Sequence, residues 1–328
     1  MDKKVIFVLG SNSFSGSNFI RFILQKKFFV IAISRSKEAS KEFLAYHENQ
    51  KEVKFFKIDI NKNLNKVERL LRYYKPKYFI NFSAQGMVDQ SWKWPSDWYQ
   101  TNVISQIKLI EILKKFKFLK KYIHFTTPEV YGSTNKKIKE NFNFNPSTPY
   151  AVSRASTDMH LKILNSYYNF PVIFTRAANI FGPYQDLYRI IPKTVISGLR
   201  KTKIRLHGGG ESLRSFIYVD DVSNAIFKIM KSGKIGNTYH ISTNRFVSIK
   251  NLVSIILKKL ELDPKKYIKN VKDRVGKDDK YFLNSNKIRK ELRWSDNFTL
   301  EKGIQQTINW IKKNNNFKNF SLDYIHKK

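Results

Sequence analysis

The sequence predicts an α/β fold, a doubly wound parallel sheet of the Rossmann-like type with a smaller C-terminal lobe. Short apolar runs without polar alternation, as buried parallel strands show, alternate with helical patterns through the first half of the chain. A glycine-containing turn directly follows the first apolar run. After residue 183 the alternation loosens into loop-rich stretches. Together these features favour one large layered domain with an appended lobe.

The predicted elements follow in a regular order. Strands are predicted at residues 5–9, 29–34, 54–60, 78–83, 122–126 and 171–176, and helices at 18–25, 98–116, 150–168 and 300–313. The sheet domain is expected to span 1–183, with about 215–245 returning to it. The lobe is expected to comprise about 184–214 and 246–328. The polar stretch after residue 313 is expected to fray.

Composition excludes several classes of protein. A chain of 328 residues with 41% hydrophobic residues can form a packed core, so global disorder is not expected. The absence of cysteine excludes disulfides, thiolate metal ligands and cysteine nucleophiles, and no metal site is predicted. The first apolar run ends at Gly10, which is too short for a signal peptide or a membrane span. We therefore predict a cytoplasmic protein without membrane contact.

The formal charge of +35 raises the question of nucleic acid. Proteins that bind nucleic acid concentrate their basic residues on a stripe or a tail, whereas here lysine is spread through almost every segment. The accompanying excess of Phe, Ile, Asn and Tyr is typical of an AT-rich coding sequence. We therefore predict no nucleic-acid partner, although the positive field would attract an anionic substrate.

The turn after the first strand has the spacing of a dinucleotide-binding loop. Gly10 and Gly16 occupy the outer glycine positions, Ser13 stands at the middle one, and Phe14 follows it. Small residues are needed there because backbone N–H groups must approach a pyrophosphate closely. An ordinary tight turn remains the alternative, but the position after the first strand favours a cofactor site.

The ends of the next two strands bear on which dinucleotide would bind. The second strand ends in Ser34 and Arg35, where an acidic residue would select NAD by binding the ribose hydroxyls. Hydroxyl and guanidinium groups favour a 2′-phosphate, so NADP is predicted, with NAD as the alternative. Asp59 and Ile60 end the third strand, where they are expected beside the adenine. Asp59 is equally compatible with a capping role.

Several ordered motifs carry a family resemblance. They are Ala84–Ser91, Thr101–Val103, Thr126–Gly132, Pro149–Arg154, Arg176–Pro183, Gly208–Asp221, Asp273–Asp278 and Glu291–Trp294. With these motifs the chain resembles the extended short-chain dehydrogenases/reductases, the NAD-dependent epimerase/dehydratase family. Within it, the chain is most similar to nucleotide-sugar 4,6-dehydratases of the dTDP-glucose type. The likeness spans nearly the whole chain.

The resemblance implies a catalytic group and a tightly bound cofactor. Thr127 and Tyr150 match the family's hydroxyl pair, in which a tyrosinate takes the proton of a sugar hydroxyl while hydride leaves. Arg154 stands where the family has lysine; it keeps the positive charge but has a bulkier fork. Tyr150, Arg154 and Ala84 are also expected to contact the cofactor.

Glu129 distinguishes the reactions of this family. A ketone at carbon 4 acidifies the proton on carbon 5, which a carboxylate can remove while the carbon 6 hydroxyl leaves as water. A 4-epimerase does not need this base. Pro128 replaces the aspartic acid of the dTDP-glucose enzymes, which leaves the proton donor open. A 4,6-dehydratase is therefore predicted, and a UDP-glucuronate decarboxylase or a 4-epimerase is the alternative. A non-catalytic NADP sensor is the alternative of another class.

The resemblance also implies how the substrate binds and how the chain assembles. The residues expected to hold the diphosphate and base of a nucleotide-sugar are Asn179, Arg189, His207, Arg214 and Arg274. Guanidinium forks suit a pyrophosphate. The helices at 98–116 and 150–168 are apolar on more than one face. By resemblance they predict a homodimer built around a four-helix bundle.

Overall fold

A computed structural model describes residues 4–134, 136–272, 282–324 and 326. The strands are β1 (Lys4–Leu9), β2 (Phe28–Ser34), β3 (Val53–Lys57), β4 (Tyr78–Asn81), β5 (Lys121–Thr126), β6 (Lys137–Ile138), β7 (Val172–Ala177), β8 (Asn179–Phe181), β9 (Ile204–His207), β10 (Leu213–Arg214), β11 (Phe216–Tyr218), β12 (Thr238–Ile241), β13 (Val247–Ser248), β14 (Ile268–Val271) and β15 (Phe282–Leu283). The helices are α1 (Phe14–Leu24), α2 (Leu64–Tyr74), α3 (Val88–Lys93), α4 (Pro95–Tyr99), α5 (Ser105–Lys114), α6 (Pro149–Tyr168), α7 (Ile190–Leu199), α8 (Val219–Ser232), α9 (Ile249–Lys259), α10 (Pro264–Tyr267), α11 (Asn286–Leu292) and α12 (Leu300–Lys313).

The main sheet has seven strands in the order β12-β7-β5-β4-β1-β2-β3. Every neighbouring pair in this sheet is parallel. The order reverses between β1 and β4, and such a switch point leaves a crevice at the carboxyl ends of the strands. This arrangement confirms the doubly wound parallel sheet that the sequence predicts, and it places the glycine turn after β1 at the crevice.

Both faces of the sheet are covered by apolar helix surfaces. On one face, Phe19 and Ile20 of α1 and Ile226 of α8 pack in a single core cluster with the strands. On the other, Val67 of α2 and Leu109 of α5 belong to the second cluster, which α6 also joins. A parallel sheet needs cover on both faces, which explains why its strands are apolar without alternation.

A third apolar cluster lies away from the main sheet. Ile191 of α7, Ile256 of α9 and Ile308 of α12 pack together there. Two short parallel pairs, β8 with β11 and β9 with β14, accompany these helices. The boundaries of the lobe, at 184–214 and 246–328, remain a prediction. Among the described helices, none is both long enough and apolar enough to cross a lipid bilayer.

The largest differences between predicted and observed bounds concern three elements. Helix α1 begins at Phe14 rather than residue 18, because the Ser13 side chain caps it. Strand β3 ends at Lys57 and not at residue 60. The predicted helix at 98–116 is divided by a π-helical turn at Gln100–Ile104, which separates α4 from α5. Such turns often occur beside functional sites.

The chain directly after α12 is ordered, whereas the sequence predicts that it frays. A 3₁₀ turn follows at Asn315–Asn319, and Phe317 within it is 1% exposed. Its ring lies 4.9 Å from that of Trp310 and 5.4 Å from that of Phe43. Buried aromatic contacts therefore order a stretch whose composition is mostly polar.

Candidate active site

The glycine turn shows why a serine is accepted at its middle position. The Ser13 hydroxyl donates to the Gly10 carbonyl at 2.6 Å and accepts from the Gly16 N–H at 3.1 Å. The side chain thereby closes the turn and caps the first turn of α1. The departure from glycine at this position therefore stabilises the same loop geometry.

The two outer glycines of the turn cannot be replaced without distortion. Gly10 has φ +83°, and a Cβ there would lie 2.7 Å from the backbone nitrogen of Ser83. A Cβ on Gly16 would lie 2.3 Å from the Gly10 carbonyl oxygen. Close passage of the backbone at the start of a helix is what a bound pyrophosphate requires. The turn therefore fits a dinucleotide.

The carboxyl ends of the strands open into one cavity of about 600 Å³, a volume typical of small-molecule sites. Residues of the glycine turn line this cavity together with Thr127, Glu129 and Tyr150. Thr127 follows β5 and accepts a hydrogen bond from the Glu129 N–H at 3.3 Å. Pro128 at the first position of this 3₁₀ turn fixes its backbone. The local chain thus orients the Glu129 carboxylate and the Thr127 hydroxyl into the same cavity.

Tyr150 is held at the start of α6. Thr148 caps this helix, and the Tyr150 N–H donates to the Ser91 hydroxyl at 3.2 Å. Burial raises the pKa of the Tyr150 phenol, and the nearby Glu129 charge raises it further. Arg154 and a hydrogen bond with Thr127 oppose that increase in the Tyr150 pKa. Additional positive charge in the cavity would be needed to favour the tyrosinate.

Arg154 lies one turn further along α6 and is 1% exposed. Its Nη2 donates to the Phe125 carbonyl at 2.5 Å. Its Nε and Nη1 are buried and make no hydrogen bond within the described part of the chain. Unsatisfied buried guanidinium groups are costly, so a ligand with hydroxyl or phosphate oxygens is the natural partner. Together with the glycine turn, this feature shows that the cavity fits a dinucleotide.

A fully buried polar network supports the helix that carries Tyr150 and Arg154. Asp158 of α6 accepts from Arg176 Nη2 at 2.8 Å, and its other oxygen lies 3.2 Å from His124 Nε2. Burial alone would raise the pKa of Asp158, but Arg176 and His124 outweigh it and hold that pKa below its usual value. Burial lowers the pKa of His124, so its ring is neutral. The network fixes α6 against β5 and β7.

The loop after β4 brings in a residue that sequence reasoning missed. Gln85 is 4% exposed and lines the cavity. Its backbone N–H donates to the Asn102 Oδ1 at 2.7 Å, and its carbonyl accepts from the Asn102 Nδ2 at 3.0 Å. Asn102 lies in the π-helical turn, which therefore positions the loop. The motif Ala84–Ser91 contains Gln85, and the motif Thr101–Val103 contains its partner Asn102. These two motifs could have indicated Gln85 as a site residue.

The cavity contains most of the residues predicted from sequence. Lining it are Ser13, Phe14, Arg35, Ala84, Thr127, Glu129, Tyr150, Arg154, Asn179, Arg189 and Arg214. Sequence reasoning also missed Asp186, Tyr188 and Tyr324, which line the same cavity.

The remaining predicted residues are not among those that line it: Gly10, Gly16, Ser34, Asp59, Ile60 and His207. Gly10 and Gly16 determine the backbone of the turn but do not line the cavity themselves. The Asp59 carboxylate accepts from the Asn61 N–H at 2.9 Å within the turn after β3, whereas the N-cap of α2 is Asn63. His207 Nδ1 lies 3.0 Å from the Lys272 carbonyl, away from the cavity. Arg274 lies outside the described residues.

Comparison with known proteins decides the family. A family model described as GDP-mannose 4,6 dehydratase matches residues 7–307. The chain belongs to the GDP-mannose 4,6-dehydratase family. A dTDP-glucose 4,6-dehydratase of Haemophilus influenzae is 31% identical, and the match covers 93% of this chain and 97% of the relative. This result confirms the resemblance that the ordered motifs indicate.

Solved structures of family relatives share the fold. DesIV, a dTDP-glucose 4,6-dehydratase of Streptomyces venezuelae solved with NAD bound, is 27% identical with a TM-score of 0.89. A dTDP-glucose 4,6-dehydratase of Bacillus anthracis in complex with NAD is 30% identical with a TM-score of 0.86. Each match covers 95% of this chain and 98% of the relative. Both relatives contain NAD, so they do not support the NADP preference that Arg35 predicted.

Proposed function

We propose that this chain is a 4,6-dehydratase of a nucleoside-diphosphate hexose, and that it forms the 4-keto-6-deoxy sugar. One observation carries the proposal: the Glu129 carboxylate faces the same cavity as the Thr127 and Tyr150 hydroxyls. A cavity with only the hydroxyl pair would serve oxidation and reduction at carbon 4. The added carboxylate is what removal of the carbon 5 proton requires.

Each side chain has a role at a stated atom. The Tyr150 oxygen, as tyrosinate, accepts the proton of the carbon 4 hydroxyl, and Thr127 orients that hydroxyl. Arg154 lowers the pKa of Tyr150 and so increases the tyrosinate fraction. The bound dinucleotide supplies hydride acceptance from carbon 4 and hydride return to carbon 6.

Glu129 then takes the proton from carbon 5, which the carbon 4 ketone has acidified. Pro128 cannot donate a proton to the departing carbon 6 hydroxyl. Among the described residues that line the cavity, the other carboxylate is Asp186, which is bonded to the Tyr188 hydroxyl at 3.1 Å and belongs to a different loop. We therefore assign both transfers to Glu129, which returns its acquired proton to the hydroxyl as water leaves. Hydride return to carbon 6 also requires a proton at carbon 5, which solvent supplies, while Tyr150 releases to solvent the proton that it took from the carbon 4 hydroxyl. One water is then lost in total, and the cofactor and both side chains are regenerated.

We propose NAD as the cofactor. The glycine turn and the unpaired nitrogens of Arg154 support a dinucleotide, and the NAD complexes of the two solved relatives support the form without a 2′-phosphate. Release of NADP from the purified protein would contradict this assignment.

Three of the predicted substrate residues support binding of a diphosphate. Asn179, Arg189 and Arg214 line the same cavity as the catalytic candidates. Guanidinium groups on two different segments can bind both phosphates at once. We propose these three as the diphosphate site.

We also propose a homodimer formed through α5 and α6. Met159, Ile163 and Tyr167 follow each other at four-residue spacing on α6, and they are 54%, 55% and 79% exposed. Ile104, before α5, is 44% exposed. Exposed apolar stripes of this kind mark protein contacts. A cytoplasmic location, and the absence of a nucleic-acid partner, remain predictions from the sequence.

The test of the catalytic roles is Glu129→Gln. We expect the variant to oxidise carbon 4 and reduce its cofactor, seen as reduced-nicotinamide absorbance, but to lose dehydration by about 10²–10⁴-fold. Exchange of the carbon 5 proton with deuterated solvent should stop. The control is Glu68→Gln on the exposed side of α2. Normal dehydration by Glu129→Gln would contradict the assignment.

A further inference from the structure

The segment after the 3₁₀ turn brings Tyr324 to the cavity and is bonded to other parts of the chain before and after that residue. We call residues 320–324 and 326 the strap. On the lobe side, the Arg200 guanidinium donates to the Phe320 carbonyl at 2.6 Å. The Lys193 amine of α7 donates to the Leu322 carbonyl at 3.1 Å. These bonds to main-chain atoms fix the path of the strap along the end of α7.

The far end of the strap is anchored to the dinucleotide-binding side. The ring of His326 stacks on Trp94 at 4.7 Å and on Trp98 at 5.1 Å, with interplanar angles of 13° and 21°. Its Nε2 lies 2.8 Å from the Asp97 carboxylate. The side chain is only 6% exposed. Stacking on two indoles and contact with a carboxylate fix the His326 side chain in position. This end of the strap is therefore anchored by specific contacts.

Tyr324 stands between these two anchors and faces the cavity. Its hydroxyl accepts from Gln85 Nε2 at 3.2 Å, and its ring meets that of Tyr188 edge to face at 5.3 Å. Burial raises the pKa of the Tyr324 phenol, while the charges of Arg35 and Arg189 lower it. The phenol therefore lies within the field of residues from both sides of the cavity.

The residues that surround Tyr324 define what lies beneath it. Arg35 follows β2 and Gln85 follows β4, on either side of the glycine turn after β1. In a doubly wound sheet the dinucleotide runs along these strand ends, from β2 past the switch point. Tyr324 bonds to Gln85 and lines the same cavity as Arg35, so its side chain lies over the path of the cofactor.

We infer that the strap is part of the cofactor site and retains the bound dinucleotide. Tyr324 covers the dinucleotide, and the contacts of His326 hold the strap in position. The inference rests on the proposed cofactor but not on the reaction. Because the strap is bonded before and after Tyr324, the dinucleotide can leave only after one anchor opens. Cofactor exchange is then limited by strap opening.

The test measures release of the cofactor rather than turnover. Full-length protein is loaded with isotopically labelled NAD, an excess of unlabelled NAD is added, and retained label is followed by rapid gel filtration. We expect Tyr324→Ala and His326→Ala to release NAD about tenfold faster than the unaltered chain, because each loses a ring contact and a hydrogen bond. Tyr324→Phe keeps the ring and should show a smaller acceleration.

Tyr73→Ala is the matched control, since Tyr73 is 79% exposed on α2. Its release rate should equal that of the unaltered chain. Equal rates for all variants would overturn the inference, and so would tighter retention by the alanine variants, because the strap would then compete with the cofactor. Faster release together with no dehydration of any sugar would leave the strap supported and the proposed function wrong.

Discussion

At the scale of single residues, Arg154 is the main departure from the family pattern. A lysine amine is a point charge, whereas the guanidinium of Arg154 donates to the Phe125 carbonyl through one nitrogen and keeps two further buried nitrogens without a partner among the described residues. One arm is thus fixed to β5. The substitution therefore keeps the positive charge beside Tyr150 and adds an anchor to the sheet.

Removing the charge at Arg154 should separate its electrostatic effect from its shape. In Arg154→Met the pKa of Tyr150 should rise, because a cation that lowers it is lost. The rising limb of the pH–rate profile should then move to higher pH, and kcat should fall by about 10²–10⁴-fold. Arg154→Lys restores the charge and should retain the original limb. An unchanged profile in the Met variant, with the fold intact by circular dichroism, would contradict this role.

The roles of individual residues could be predicted only in part from the sequence. Tyr150, Thr127 and Glu129 follow from their motif, and the structure brings them to one cavity. The NADP prediction depends on Arg35 as a partner of the 2′-phosphate, and the NAD complexes of the solved relatives do not support it. The charge of Arg35 also acts on Tyr324, a residue almost three hundred positions away. No local pattern indicates a contact of that kind.

At the scale of elements, α6 depends on polar and charged side chains that water does not reach. Asp158, Arg176 and His124 are each 0% exposed. A carboxylate buried beside a guanidinium costs little only while both partners are present. The network therefore fixes the direction in which α6 presents Tyr150 and Arg154.

Asp158→Asn should lower the free energy of unfolding by about 3–5 kcal/mol, because Arg176 is left buried without its counter-charge. The sign of the pH effect follows from the lowered pKa of Asp158. Its stabilisation is present above the unfolded pKa of about 4 and is lost as pH falls through the folded pKa. Denaturant titrations from neutral to acidic pH measure both the loss of unfolding free energy and its dependence on pH. Glu68→Gln, which alters an exposed pair with Arg72, is the control and should change stability little. Equal loss in the two variants would contradict the account.

Element types could be predicted better than element ends. Apolar runs without alternation indicated the buried strands, and helical patterns indicated the helices between them. The π-helical turn at Gln100–Ile104 has no such signal, since it arises where Asn102 bonds to the backbone of Gln85. Tertiary hydrogen bonds of this kind override a local helical pattern.

At the scale of the whole molecule, the proposed dimer has a direct test. Ile163→Glu places a charge on the exposed stripe of α6, where burial at an interface would be costly. We expect light scattering to show a dimer for the unaltered chain and a monomer for this variant. Ile235→Glu is the matched control, because Ile235 is 47% exposed outside α5 and α6. A monomer for the unaltered chain at working concentration would contradict the proposal.

The overall architecture was the most predictable feature. The alternation of strands and helices over residues 5–176 leaves few topologies for a parallel sheet with right-handed crossovers. The strap was not predictable, because the polar stretch after residue 313 looks like a frayed end. Its order comes from partners such as Trp94 and Arg200, which are distant in sequence.

The central claim is that the chain removes water from a nucleotide-sugar without net redox change. The most direct measurement is mass spectrometry of the full-length protein, loaded with NAD, after incubation with dTDP-glucose, UDP-glucose, GDP-mannose and UDP-glucuronate, with no reductant added. We predict loss of one water from a single nucleotide-hexose, and that product identifies the base and the sugar together. Loss of carbon dioxide, an unchanged mass with altered sugar configuration, or no turnover while NAD is bound would each contradict the dehydratase.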